Sequence, residues 1–256
     1  MGKKLRKIKP KKSKKTKTII IVIILLILLG VGGYFGYNYY SSLHGKKKIT
    51  VKVLDSIDDY GYSVSDRDSS LFKEEYEKLK KVLNEKEIDE KAYAEQVAKL
   101  FIIDLYSINS KINKYDVGGR EYFYNTKVDM FDLKVMDTIY SNLEDDTFGD
   151  RKQELPIVKS IEIKDTNEDT YRFIESVTVD PSTNARSCKD GYTVSKNDNS
   201  KCVKDVDKVY VINLEWSYET DMGYDKKGSI VVAKEDGNRW SVVEYQPKLN
   251  AFKKDL

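Results

Sequence analysis

The hydrophobic pattern of this chain changes period twice, and each period marks a different kind of element. From Thr18 to Gly36 no charged residue occurs, and Ile19 to Leu29 is an unbroken aliphatic run. At about 1.5 Å per residue, Thr18 to Gly36 makes a helix of roughly 28 Å, close to the hydrocarbon thickness of a bilayer. A secretory leader would have an apolar stretch of about 7–15 residues ending at a small-residue cleavage site. Here Tyr34, Phe35, Tyr37, Tyr39 and Tyr40 follow instead, the composition of an interfacial aromatic belt. The pattern predicts an uncleaved transmembrane helix over 18–40.

Beyond it, Ile49 to Ile57 alternates and predicts a short strand, and the polar stretch Asp58 to Ser70 predicts a loop. Residues 41–70 thus read as a juxtamembrane linker with one strand. The period then becomes helical. Leu71, Phe72, Tyr76, Leu79, Val82 and Leu83 recur at three- and four-residue spacing. Glu74 and Glu75 are placed in the first turn, where the helix dipole favours acids. Asp89 caps a second helix in which Val97, Leu100, Phe101, Ile102, Ile103 and Leu105 form an apolar arc. An arc that broad predicts burial between two layers. Gly118 and Gly119 turn the chain, and Thr126 to Asp129 fits a capping box ahead of a third helix over Phe131 to Leu143.

After Pro156 the period is two. Ile157 to Ile163 and Thr170 to Val179 are predicted strands around a turn at Thr166 to Asp169. Lys208 to Tyr218 alternates most clearly: Tyr210, Ile212, Leu214, Trp216 and Tyr218 take a core face, and the other face is expected to be wet. Ser229 to Ala233 and Trp240 to Tyr245 form a hairpin around Asp236 and Gly237. Three helices followed by antiparallel strands predict an α+β domain over 71–256 behind the transmembrane helix.

Charge fixes the expected orientation. The net charge is +3, yet ten basic residues and no acid fall in residues 1–17, so the remainder carries −7. A basic flank stays cytoplasmic, which places the N-terminus inside and the domain outside, against the weaker opposition of Lys46, Lys47 and Lys48. The tail is expected to sit on anionic headgroups and the helix in the lipid bilayer. The acidic exterior domain is not expected to bind nucleic acid. High Lys, Asn, Asp and Tyr with four prolines suggests a bacterial source of low GC content.

Cys188 and Cys202 are the two cysteines. Outside the membrane such a pair in a polar loop reads as a disulfide closing the excursion 181–205. With no histidine nearby, two thiols fall short of a zinc site. The one histidine, His44, lies beside the helix, away from any catalytic arrangement in the domain. No phosphate-binding or dinucleotide glycine pattern occurs, and neither a metal nor a cofactor is expected. The residues singled out for a pocket are Asp104, the odd acid in the second helix, with Tyr122, Tyr124, Trp216 and Trp240. On packing grounds Asp104 is expected at the edge of the apolar arc, in water.

The stretch Ser229 to Tyr245, with its acidic-Gly turn followed by Trp240, resembles the closing hairpin of the nuclear transport factor 2-like superfamily. That resemblance implies a curved antiparallel sheet, a cone-shaped fold, and a pocket between helices and sheet. Enzymes of that superfamily place Asp and His in the pocket, and this domain has no such His. A short basic tail, one anchor and an exterior domain also resembles the bitopic scaffold subunits of type IV secretion and conjugation machines. The expectation is an anchored protein that binds a partner or self-associates. The alternatives are an envelope or cell-wall hydrolase using carboxylates, and a sensor of a small ligand.

Overall fold

The computed structural model describes residues 14–45, 47–235 and 237–247. The basic tail up to residue 13 lies outside this range, as does Asp236 of the expected hairpin. Two compact units are present, Met1–Lys48 and Ile49–Leu256. The first is helix α1, Lys14–His44. Its stretch Ile23–Ser42 is long and apolar enough to cross a membrane. Leu25 to Leu29 and the aromatic residues from Tyr34 to Tyr40 are exposed.

The second unit is α+β. It opens with a two-stranded antiparallel sheet of β1, Val53–Ile57, and β2, Tyr62–Ser65. Helices α2, Ser70–Leu83, α3, Glu90–Tyr106, and α4, Val128–Asp137, follow. A curved antiparallel sheet completes it, from β3, Val158–Ser176, β7, Lys201–Tyr218, β8, Lys227–Lys234, and β9, Trp240–Pro247, in that spatial order. Between β3 and β7 the chain forms a small hairpin of β4, Thr178–Val179, with β5, Arg186–Ser187. It then forms β6, Thr193–Val194, which pairs with β7.

Helix α3 is the central element, as its broad arc requires. Val97, Ala98, Leu100, Phe101, Ile102, Ile103 and Leu105 are all fully buried. Asp89 caps it, accepting from the backbone N–H of Lys91 and Ala92 at 2.9 and 3.1 Å. One side of α3 meets α2, another the sheet strands β3, β7, β8 and β9, and it also contacts the 3-10 turn Arg120–Tyr122. Phe101, Tyr106, Ile212, Leu214, Trp216, Ile230, Trp240 and Val242 fill the space between.

Several local expectations are corrected. The stretch Asp58 to Ser70 contains β2, whose Tyr62 and Val64 are buried. Two apolar positions are too few to show a period, and the strand exists because Tyr62 stacks on Tyr122 at 5.0 Å and meets Tyr93. Helix α2 begins at Ser70 with Ser69 as its cap. Glu74 and Glu75 therefore both lie in its second turn, and Glu75 is buried and paired with Lys78 at 2.8 Å and with Lys99 of α3 at 3.3 Å. Thr126 makes no capping box: residues 125–127 form a 3-10 turn, and α4 ends at Asp137. Tyr140, expected in that helix, instead donates its hydroxyl to Leu105 O at 2.8 Å.

No turn occurs at Thr166 to Asp169. Strand β3 runs through it for 19 residues, with Asn167 opposite Val211 and Glu168 opposite Tyr210. Irregularities at 163/165 and 169/171 interrupt its register with β7, and such breaks blunt a long sheet edge. Nor is the second face of β7 wet throughout. Val209 is fully buried there, under a second cluster of Tyr124, Phe173, Ala233 and Val243.

Candidate functional site

An open cleft of roughly 360 Å³ is lined by Arg67, Asn109, Ser110, Asp146, Gly149, Arg151 and Gln153. Arg67 follows β2, Asn109 and Ser110 follow α3, and the rest come from the loop before β3. Arg67 donates Nε to Ser110 O at 2.7 Å and Nη2 to Asp146 Oδ2 at 3.3 Å. Arg151 donates to Lys111 O, Glu144 O and Asn109 O at 2.8, 3.3 and 3.0 Å. Asp146 accepts the Arg151 backbone N–H at 3.1 Å, and its other oxygen lies 4.0 Å from the Arg151 guanidinium. Burial pulls the Arg151 guanidinium below its usual range, which Arg67 reinforces and Asp146 opposes. Two loops and the 3-10 turn Ile108–Ser110 are thus held by two cations around one carboxylate.

The chemistry such a wall supports is hydrogen bonding to a small polar ligand. Ser110 Oγ, its one hydroxyl, donates to Ser107 O at 2.8 Å. Nothing in the sequence pattern singled out these residues, because Asp146 and Arg151 lie in a charged stretch that reads as solvated.

Asp104 is not at a watery edge. It pairs with the ammonium of Lys111 and accepts the Gly119 N–H at 2.6 Å. Lys111 is buried. Burial opposes its charge, yet Asp104, with Tyr140 and Asp116, holds the ammonium above its ordinary range. The two glycines expected to turn the chain make this contact possible. A Cβ at Gly118 would come within 2.1 Å of Asp104 O, and Gly119 has φ +79°. Burial also raises the carboxyls of Asp68 and Glu121, with Asp104 adding to both. Glu121 accepts Ser63 N–H and Oγ–H at 2.9 and 2.7 Å, tying β2 in place.

The aromatic candidates are distributed between two clusters. Tyr122, Trp216 and Trp240 are buried in the main core, and Tyr124 belongs to the second cluster, 5.0 Å from Phe173. Trp216 donates Nε1 to Tyr218 Oη at 2.8 Å, and its ring lies 5.4 Å from Tyr106. Tyr106 in turn donates to Asp225 at 3.0 Å and shares a hydrogen bond with Tyr245. Neither Asp104 nor any of these four aromatic candidates lines the cleft beside Arg67.

Cys188 and Cys202 form a disulfide, with Cα atoms 5.7 Å apart. It joins the segment after β5 to the start of β7, so the excursion is a stapled ribbon rather than an open loop. Among the described residues no group of three or more His, Cys, Asp and Glu is placed to hold a metal ion. Comparison of the chain with family models, curated proteins and solved structures found no match.

Proposed function

We propose that this protein is a single-pass membrane-anchored subunit whose domain, residues 49–256, lies outside the cytoplasm and binds a protein partner or another copy. The observation that carries this reading is the combination of one exposed apolar helix with a disulfide in the following unit. A disulfide persists on the oxidising side of a membrane, and the ten charges of the tail hold the other end inside. The likeness to nuclear transport factor 2-like domains is part of the proposal, supported by helices followed by a curved sheet closed by the β8–β9 hairpin. Likeness to secretion and conjugation scaffolds rests on the same arrangement of tail, anchor and domain. A second reading, capture of a small polar ligand, has the cleft at Arg67 and Asp146 behind it.

Orientation is tested with cysteines added at Ser13 and Ser195 in intact cells. A membrane-impermeant thiol reagent is expected to label position 195 and spare position 13. Labelling at 13 alone would reverse the topology.

The scaffold reading is tested with Asp104→Asn in the full chain. Asp104 is committed to Lys111 and Gly119, so crosslinked self-association or partner capture in membranes is expected to survive the change. Loss of a wall-degrading activity in the Asn variant, with the fold intact, would favour a hydrolase instead.

A further inference from the structure

The walls of the cleft beside Arg67 are fixed by the domain's own hydrogen bonds. Arg151 is clamped by three backbone carbonyls. Gln153 uses both ends of its amide, accepting from Glu144 N–H at 3.0 Å and donating to Asn142 O at 2.9 Å. Gly149 N–H donates to Asp146 O at 2.9 Å. These bonds leave a short set of polar groups for a ligand. Arg67 uses Nε and Nη2, and its Nη1 hydrogen-bonds to none of the described residues. The exposed side chain of Asn109 likewise bonds to none of them. Ser110 Oγ donates to Ser107 O and keeps its lone pairs for an incoming donor.

Charge narrows the class of ligand. Arg67 and Arg151 are the cations, and Asp146 lies between them, with Glu144 and Asp145 acting on Arg151 as well. Two positive and three negative side chains leave no field that gathers a free anion or a free cation. A carboxylate would have to compete with Asp146 for Arg67, and an ammonium with Arg67 for Asp146. A zwitterion meets both obstacles at once.

The groups left over suit hydroxyls, because each hydroxyl both donates and accepts. Arg67 Nη1 donates only, Ser110 Oγ can accept, and the Asn109 amide does both. A volume of roughly 360 Å³ is at the small end for a ligand cleft. We propose that this cleft binds a neutral mono- or disaccharide, whose hydroxyls are held by Arg67 Nη1, Asn109 and Ser110. This rests on the small-ligand reading of the cleft and gives that ligand a chemical class. It is independent of the anchor and of any protein partner.

The test uses the full chain in phosphatidylcholine nanodiscs, free of glycoside detergent, and saturation-transfer difference NMR. The probes are cellobiose, maltose and N,N′-diacetylchitobiose, with acetate and glycine as charged counterparts. At least one sugar is expected to give a saturable signal, and Asn109→Ala is expected to weaken its binding at least fivefold. That variant keeps the fold, because the Asn109 contact that holds Arg151 is made by its backbone carbonyl; an unchanged melting temperature checks this. Sugar binding of equal strength in the Asn109→Ala protein places the sugar elsewhere and overturns the proposal. Acetate or glycine bound in its stead, and lost in Asn109→Ala, overturns the saccharide and leaves the small-ligand reading standing. No saturable signal from any of the five probes overturns both.

Discussion

Asp146→Ala is expected to destabilise the second unit by about 3–5 kcal/mol, the usual cost of removing one member of a buried ionic group. The Arg151 side chain is only 4% exposed and that of Asp146 12%. An arginine stays charged at any physiological pH, so removing the carboxylate removes the counter-charge shared by Arg67 and Arg151 and leaves Arg151 with Glu144 and Asp145 alone. Asp146→Asn is expected to cost less, because an amide oxygen can still accept the Arg151 backbone N–H seen at 3.1 Å. Urea unfolding of the detergent-solubilised chain, followed by the fluorescence of the buried Trp216 and Trp240, measures both. A loss below about 1 kcal/mol for the Ala variant would place the group among ordinary surface ion pairs.

Replacing Cys188 and Cys202 together by Ser is expected to cost about 3 kcal/mol, the chain-entropy value for a loop of about 15 residues. The effect should concentrate in the ribbon. Beyond the disulfide the excursion has two-residue pairings of β4 with β5 and β6 with β7, each too short to persist alone, and exposed contacts such as Lys189 with Glu175. Limited proteolysis should therefore cut between residues 181 and 205 in the double variant and spare that stretch in the oxidised protein. Thiol titration of the unreduced denatured chain should find none free. Equal protease resistance with and without the bridge would show that packing of Phe173 and Tyr192 in the second cluster suffices to hold the ribbon.

Both effects act on features of different legibility. The disulfide was readable because a chain with two cysteines in one polar stretch leaves few alternatives. The Arg67–Asp146–Arg151 group was not, because its members are 79 and 84 residues apart or lie five apart in a charged loop, and charged residues in loops read alike whether solvated or buried. Asp104 illustrates the same limit. Its place on α3 was legible, whereas its ion pair depends on Lys111 folding back after the helix, and its second contact on the close approach of Gly118 and Gly119.

By itself the sequence determined the elements whose neighbours in the chain set their structure. The uncharged run placed α1, which extends past the expected 18–40 to Lys14 and His44, the broad apolar arc gave α3 its central place, and the alternation from Tyr210 to Tyr218 gave β7 its core face. Periodicity works there because one helix face or one strand face meets a single environment over many residues. Tertiary structure alone decided the remainder. Strand β2 exists through two residues that meet Tyr93 and Tyr122. Strand β3 passes through a polar stretch because β7 offers it hydrogen bonds along its length. The pocket candidates became packing residues, and the cleft arose where two loops and a 3-10 turn meet around one carboxylate. In each case the deciding contact joins segments far apart in the chain, and no local pattern encodes which of many polar or aromatic residues will make it.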